Sequence, residues 1–165
     1  MEKQDSGTPR EVSSLRLVVF ALDEQRYALH LAAVERILRL VEVIPLPKAP
    51  DIVLGVVNVH GTVVPVVNVR RRFHLPELEA DPTHRLILTH TARRPVALVV
   101  DKAEGVIETD RDEVTGAEGI LPRLEYVEGV VKLPDGLVLI HDLDLFLSLD
   151  EERELERILA ERDQK

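Results

Sequence analysis

Apolar and polar positions alternate with a period of two along most of this chain, which is the pattern of half-buried β-strands. Residues 15–22 and 27–31 are apolar segments separated by a polar run, and this arrangement predicts a hairpin. Nine of the seventeen residues from position 53 to position 69 are Val, a side chain that packs well on a pleated sheet. His60 and Gly61 stand near the middle of that segment, so we predict a second hairpin with a tight turn at these two residues.

Further strands are predicted from short aliphatic runs later in the chain. They lie at residues 85–90, 95–100, 102–108, 126–133 and 137–141. The last two flank Pro134-Asp135-Gly136, a sequence that favours a turn. Pro65 has no N–H group to donate, so its strand is expected to lie at a sheet edge or to contain a bulge there.

Two segments depart from the strand pattern. Val34, Ile37 and Leu38 follow the spacing i, i+3 and i+4, which predicts a short amphipathic helix over residues 32–39, after the second strand. Residues 150–165 carry 11 charges in 16 positions, which predicts a solvated, charged helical tail.

The chain also contains an internal repeat. Residues 27–38 align with residues 96–107 at an offset of 69, and Val53-Leu-Gly-Val-Val aligns with Val127-Glu-Gly-Val-Val at an offset of 74. Chance similarity between valine-rich strands is the alternative, but the colinear order of the two blocks favours duplication. We therefore predict a mainly β fold with two small units of about five strands each, of which residues 27–38 and 53–69 would share one.

The domain organisation follows from these patterns. Residues 1–14 are polar and mixed in charge, which predicts a disordered N-terminal tail. Residues 15–149 would form the domain with its two repeated β subdomains, and residues 150–165 the C-terminal helix.

Composition supports a packed core and argues against nucleic-acid binding. Val, Leu and Ile number 24, 25 and 8, about a third of the 165 residues, which excludes disorder throughout. The formal charge is −9 and only five residues are aromatic, whereas nucleic-acid binding relies on basic surfaces and stacking rings. The charge is also uneven, with +2 in residues 1–100 and −11 in residues 101–165, so we expect partner contacts to be confined to one side.

Cysteine is absent, which excludes disulfides and thiolate chemistry and fits a reducing cytoplasm. No apolar run approaches the roughly 20 residues that a membrane-spanning helix needs, so no direct membrane insertion is expected.

The residue types that carry catalysis or bind cofactors form no familiar motif. No glycine-framed elbow surrounds Ser148, and the eight glycines form neither common phosphate-binding loop. The six histidines lack the spacing of a zinc site. The arginine runs at residues 70–72 and 93–94 could bind an acidic partner, although such runs more often solvate a strand end or a loop. We therefore expect a binding module with no enzyme activity, cofactor or metal.

Five ordered blocks resemble the CheW family, the adaptors that join chemoreceptors to the CheA histidine kinase in bacterial chemosensory arrays. The blocks are Val19-Phe20 with Tyr27-Ala-Leu, Val34-Glu-Arg-Ile, the stretch from Pro47 to Arg70, Val99-Val-Asp101-Lys-Ala-Glu-Gly-Val and Tyr126-Val-Glu-Gly129-Val. The resemblance covers about residues 15–149.

This resemblance implies two side-by-side five-stranded barrels of the Src-homology-3 type and a non-enzymatic adaptor, cytoplasmic and recruited to membrane-bound receptor arrays. By position, it implies contacts with the receptor's cytoplasmic hairpin tip at Val34, Ile37, Leu38, His60 and Val99. It implies contacts with the regulatory domain of the kinase at Gly55, Val57, Asn58 and Val59. The aliphatic members of both sets could equally fill the cores of their own barrels.

Two positions depart from the family pattern. His60 stands where members usually carry Arg in the turn, and Asn68 where they usually carry Asp. An imidazole is not a constant cation, so the turn is expected to lack the positive charge that an acidic partner would meet. Two other functions therefore stay open. One is a divergent relative that binds a receptor, or serves a non-flagellar chemosensory pathway, without activating the kinase. The other is a double β-barrel that binds a small ligand between its halves.

Overall fold

The structure is a computed structural model that describes residues 14–116 and 127–163, and every structural statement refers to these residues. The strands are β1 (Ser14–Leu22), β2 (Gln25–His30), β3 (Val34–Arg39), β4 (Val53–Val59), β5 (Thr62–Val67), β6 (Arg85–His90), β7 (Pro95–Val100), β8 (Lys102–Asp110), β9 (Val114–Gly116), β10 (Val127–Leu133) and β11 (Gly136–His141). The α-helices are α1 (Val69–Arg72) and α2 (Leu149–Asp163), with 3-10 turns at Leu31–Ala33, Arg111–Glu113 and Leu143–Leu145. The predicted N-terminal tail and Tyr126 lie outside the described residues.

The strands form two sheets, and each is the centre of one compact unit. The first sheet has the order β8-β1-β2-β11-β10-β9, and the second has the order β3-β6-β7-β5-β4. The second unit runs from Glu35 to Lys102 and includes the C-terminal segment from Asp144, and the first unit contains the first sheet. The prediction of a mainly β fold with two small units and a C-terminal helix is thus confirmed.

Each sheet contains two antiparallel hairpins that are joined through a parallel strand pair, with β8 and β9 at the edges of the first sheet and β3 at one edge of the second. In the first sheet β2 runs parallel to β11, with Ala28 opposite Ile140. In the second sheet β5 runs parallel to β7, with Val66 opposite Ala97. The aliphatic side chains on one face of each sheet pack into a core. The core of the first sheet contains Leu17, Val19, Ala28, Val131, Val138 and Ile140. The core of the second contains Val57, Val64, Val66, Leu86, Leu88 and Ala97.

The internal repeat appears in the structure strand by strand. The offsets of 69 and 74 carry β1, β2, β3, β4 and β5 onto β6, β7, β8, β10 and β11, and the strand order of the second sheet becomes that of the first. Each sheet nevertheless takes strands from both copies, because β2 joins the first sheet whereas β4 and β5 join the second. The expectation that residues 27–38 and 53–69 share one unit is corrected in this respect.

A glycine bulge occurs at the same place in both copies. The register of β4 with β5 shifts between Val53 and Gly55, and that of β10 with β11 shifts between Val127 and Gly129. Next to the first bulge, Val56 forms a bridge with Ile44, and the equivalent contact in the first sheet is made by the short strand β9. For this reason the first sheet has six strands instead of the predicted five.

The prediction of a helix over residues 32–39 is wrong. Val34–Arg39 is the strand β3, and the helical residues between β2 and β3 are the 3-10 turn Leu31–Ala33. The apolar spacing of this short segment is compatible with either structure, and pairing beside β6 in the second sheet decides for the strand.

Two smaller expectations also change. The C-terminal helix is present, but Leu155 and Ile158 on it are buried, so one face of α2 packs within the second unit. Pro65 lies on β5, which is an interior strand and not an edge. The pairing with β7 begins only at Val66, so Pro65 precedes it and its missing N–H removes no bond from that ladder.

The bulge glycine can be tested by substitution. A Cβ atom on Gly55, whose φ is +156°, would overlap the backbone oxygen of Ile44. A Cβ atom on Gly105, whose φ is +112°, would meet nothing within 4 Å. We expect Gly55→Ala to lower the free energy of unfolding by about 2 kcal/mol more than Gly105→Ala, because only the first combines backbone strain with a backbone clash. Urea denaturation of both variants measures the difference, and equal losses would contradict the assigned close contact.

Candidate functional site

The nine residues implied by the resemblance all lie in the second sheet or its β4–β5 turn. Val34, Ile37 and Leu38 lie in β3, Gly55, Val57, Asn58 and Val59 in β4, His60 in the turn and Val99 in β7. The two sets that would meet different partners therefore share one sheet.

The three apolar residues of β3 do not form one face. Side chains alternate between the two faces of a strand, so Val34 and Leu38 share one face and Ile37 lies on the other. Leu38 is half-buried and packs against the second core, whereas Ile37 is 39% exposed. The single apolar surface that a helix would have formed is absent from this segment.

Strand β4 contributes accessible side chains at only part of its length. Gly55 and Val57 are buried, and Val57 belongs to the second core. Asn58 is exposed and Val59 is half-buried. A partner could thus contact the side chains of Asn58 and Val59, and the kinase role of all four residues stays a prediction.

The β4–β5 turn has the geometry that its sequence predicts. Val59 pairs with Thr62, so the turn consists of His60 and Gly61, which have φ angles of 50° and 86°. Two positive φ angles are typical of a type I′ turn. The side-chain oxygen of Asn58 accepts a hydrogen bond from the Gly61 N–H at 2.8 Å and fixes the turn.

A pocket of about 270 Å³, which we call the His60 pocket, lies between this turn and β3. It is lined by Glu35, Arg36, Val59, His60, Thr62, Val64, Leu88, His90 and Pro95. Arg36 Nη1 lies 3.3 Å from His60 Nε2, and Glu35 Oε2 lies 2.6 Å from His90 Nε2. Since β3 and β4 stand at opposite ends of the strand order, the Arg36–His60 contact shows that the second sheet curls towards closure.

A second cavity of about 270 Å³, which we call the Val99 cavity, has mainly apolar walls. It is lined by Leu40, Val43, Leu54, Asn68, Arg70, Glu77, Leu78, Ala80, His84, Val99 and Asp101. Leu54 and Leu78 remain 39% and 53% exposed, so apolar surface faces solvent at this cavity. Of the nine implied residues, only Val99 lines it.

The polar wall of the Val99 cavity is held by hydrogen bonds within the chain. Arg70 binds Asp101 through two bonds, Nη2 to Oδ2 at 2.6 Å and Nε to Oδ1 at 3.3 Å. Asn68 caps α1 by accepting from the Arg71 N–H, and its amide donates to Glu77 Oε1 at 3.4 Å. An ionised Asp at position 68 could cap the helix but could not donate to Glu77, which gives the departure from the family pattern a local reason. The hydrogen bond from the Arg71 side chain also lowers the pKa of Glu77.

The arginine runs mainly bind acidic residues of this same chain. Arg72 Nη2 lies 2.6 Å from Glu151 Oε1, and Arg94 Nε lies 2.9 Å from Glu152 Oε1. Both pairs are largely buried and join α2 to the rest of the second unit. Burial raises the pKa of the Glu151 carboxyl, but hydrogen bonds from Arg72 and the Ser148 backbone outweigh it and lower that pKa below its ordinary value.

Ser148 has a structural role at the start of α2. Its hydroxyl accepts from the Glu151 N–H at 3.1 Å, and Glu151 accepts from the Ser148 N–H at 2.7 Å, which forms a capping box. Over the described ranges, no three His, Asp or Glu side chains converge as a metal site would require. None of the helices in the described part of the chain has both the length and the apolarity needed to cross a bilayer.

Sequence reasoning missed several residues that line these two sites, among them Arg36, Leu54 and Leu78. The misassigned helix concealed Arg36, although the repeat aligns residues 34–38 with residues 103–107, a segment that was itself predicted to be a strand. No local sequence pattern marks Leu54 or Leu78 as a site residue. The cavity wall that they share forms only when the strand β4 and the loop that contains Leu78 come together in the fold.

Comparison with known proteins gives one consistent family. The model of the CheW-like domain matches residues 16–151. The chemotaxis protein CheW of Treponema pallidum is 26% identical over 146 residues, which cover 85% of this chain and 86% of that protein. The chemotaxis protein CheW of Bacillus subtilis is 29% identical over 134 residues, which cover 80% of this chain and 86% of the relative.

A solved structure has the same fold. The crystal structure of the scaffolding protein TtCheW from Thermoanaerobacter tengcongensis matches with a TM-score of 0.76 at 24% identity. The match covers 83% of this chain and 94% of that chain.

The ion pair between Arg72 and Glu151, which joins α2 to the rest of the second unit, gives a pH-dependent prediction. Because the pKa of Glu151 is lowered in the folded state, its contribution to stability is present above the ordinary glutamate pKa and disappears as the pH falls through the lowered value. Glu151→Gln keeps a residue suited to the capping box but removes the charge. We expect a loss of about 1 kcal/mol at pH 7.0, seen as a fall in Tm of about 2–4 °C, and a smaller loss at pH 3.5.

Glu154→Gln is the matched control, because Glu154 is an exposed residue of the same helix whose ion pair with Arg157 is solvated. It should change Tm by less than about 1 °C at either pH. A loss for Glu151→Gln that does not depend on pH would contradict the ionic role of Glu151.

Proposed function

Because this chain belongs to the family of CheW-like domains, we propose that it is a non-enzymatic adaptor that couples chemoreceptors to a CheA-type histidine kinase. The observation that carries the proposal is the family match over residues 16–151, a range that includes strands of both sheets. The relatives are chemotaxis proteins and a scaffolding protein, which supports a role in chemosensory signalling. As such an adaptor, it would be recruited from the cytoplasm to membrane-bound receptor arrays.

The Val99 cavity is the proposed receptor-binding site. Its apolar walls with Leu54 and Leu78 at the surface suit an apolar side chain of the receptor hairpin, which would be shielded from water on binding. The polar groups in the wall are hydrogen-bonded within the chain, so they would shape the cavity instead of carrying chemistry. Val99 supports the assignment because the resemblance and the cavity both include it.

The kinase-binding surface is proposed at the exposed part of the β4 hairpin. Asn58 would contact the kinase directly, while Val59, which also lines the His60 pocket, and the buried Gly55 and Val57 would act by holding the hairpin in shape. The hydrogen bond from Gly61 to Asn58 keeps the turn rigid, which lowers the entropy lost on docking.

Leu78→Asp tests the receptor site. The side chain of Leu78 is 53% exposed, so the change should leave Tm within a few degrees. Placing a carboxylate at an apolar contact should weaken binding to the receptor cytoplasmic fragment at least tenfold, which corresponds to about 1.4 kcal/mol. Leu145→Asp is the control, because Leu145 is 50% exposed and does not line the cavity. Isothermal titration should show the control within about twofold of the parent, and equal losses would contradict the proposed site.

Reconstitution with both partners tests the coupling itself. An adaptor should bind the receptor fragment and the kinase regulatory domain together, and should raise autophosphorylation of the kinase in the presence of receptor. A protein that binds the receptor but leaves the kinase inactive would instead be the divergent relative that the departures at His60 and Asn68 allow.

A further inference from the structure

Arg36 places a permanent positive charge beside the β4–β5 turn. Arg36 Nη1 lies 3.3 Å from His60 Nε2. A guanidinium can only donate hydrogen bonds, so in this contact Arg36 is the donor and the imidazole nitrogen is the acceptor. This contact holds the Arg36 side chain at the turn.

Arg36 has no acidic partner among the residues that the structure describes. Its neighbour Glu35 instead contacts His90, at 2.6 Å. Arg70 and Arg72 of the same unit are instead paired with carboxylates of this chain, Asp101 and Glu151. The charge of Arg36 is therefore available to a group from outside.

The His60 pocket beside Arg36 has the form that an acidic side chain needs. Apolar side chains of Val59, Val64 and Leu88 line it together with the polar groups of Arg36 and Thr62. The methylene groups of an Asp or Glu could pack on the apolar part while the carboxylate receives two parallel N–H bonds from the guanidinium. Its volume of about 270 Å³ is ample for one such side chain.

We propose that Arg36 is the residue through which the His60 pocket binds a carboxylate, and that the carboxylate belongs to an acidic side chain of the receptor's cytoplasmic tip. This inference rests on the adaptor function proposed above. A second copy of this chain is the weaker candidate, because two molecules that each carry a net charge of −9 repel one another. The guanidinium that the turn lacks at position 60 is then supplied by Arg36 of β3.

This geometry reverses the expectation for position 60. If the turn simply lacked a cation, His60→Arg would strengthen binding. With Arg36 already at the turn, a second guanidinium would be repelled by the first and would remove the nitrogen that accepts its hydrogen bond. An arginine at position 60 should strengthen receptor binding only when Arg36 is absent.

Three variants test the proposal by titration calorimetry of the full chain with the receptor cytoplasmic fragment at pH 7.5. We expect Arg36→Gln to weaken binding about tenfold, and His60→Arg alone to bind no more tightly than the parent. The double variant should recover to within about threefold of the parent, because the guanidinium introduced by His60→Arg would then replace the missing charge. Unchanged binding by Arg36→Gln, or a tenfold gain by His60→Arg alone, would overturn the proposal.

Arg39→Gln is the matched control. Arg39 lies on the same strand with the same charge, but three residues away and therefore on the opposite face. Binding within about twofold of the parent supports a specific site. A loss equal to that of Arg36→Gln would mean that net charge alone matters, which overturns the assignment. Circular dichroism and Tm show whether each variant is folded.

A probe that does not depend on the receptor separates this inference from the proposed function. Titration of the labelled full chain with hexaglutamate should shift the amide signals of residues 35–37 and 59–62, and Arg36→Gln should abolish these shifts. If the shifts occur but the receptor fragment does not bind the parent, the carboxylate site stands while its assignment to the receptor and the adaptor function fail. If no shift occurs at these residues, the site itself fails. Self-association in sedimentation that Arg36→Gln abolishes would assign the pocket to a second copy and overturn the receptor assignment.

Discussion

The parallel contact between one hairpin of each repeat copy is the interaction on which both sheets depend. Ala28 lies opposite Ile140 in the first sheet, and Ala97 lies opposite Val66 in the second, at positions that the repeat makes equivalent. All four side chains are buried. An isolated two-stranded hairpin is marginally stable in water. Neither copy of the repeat can therefore complete a sheet without the other, and the chain must contribute both copies to each core.

The same pairing places the groups of the candidate sites. Because β7 lies beside β5, Val99 near the end of β7 comes close to Asn68 and Arg70, which follow β5, and these residues share the Val99 cavity. Curling of the second sheet then brings Arg36 of β3 to the turn after β4. Each candidate site is thus built from segments that are distant in the sequence.

Charge is used in two ways in the second unit. The largely buried pairs of Arg72 with Glu151 and of Arg94 with Glu152 fix α2, so part of the acidic C-terminal charge is neutralised within the chain. Breaking one such pair would leave its partner charge poorly solvated, which makes these contacts more important than exposed ion pairs. Arg36 differs, because its described contact is the imidazole of His60 and not a carboxylate. Arg72 and Arg94 thus hold the fold together, whereas Arg36 has no carboxylate partner among the described residues.

The sequence by itself determined the hairpins, the turn at His60 and Gly61, the repeat and the C-terminal helix, because these depend on contacts between residues that are close in the chain. Turn chemistry and period-two alternation act locally and need no partner strand to be recognised. Only the tertiary structure decided that Val34–Arg39 is a strand, since six residues with mixed periodicity become a strand by pairing in a sheet. It also decided which hairpins pair with each other, that Arg70, Arg72 and Arg94 bind Asp101, Glu151 and Glu152, and that Arg36 meets His60. These contacts join residues 24 to 112 positions apart, and no local pattern encodes such pairings.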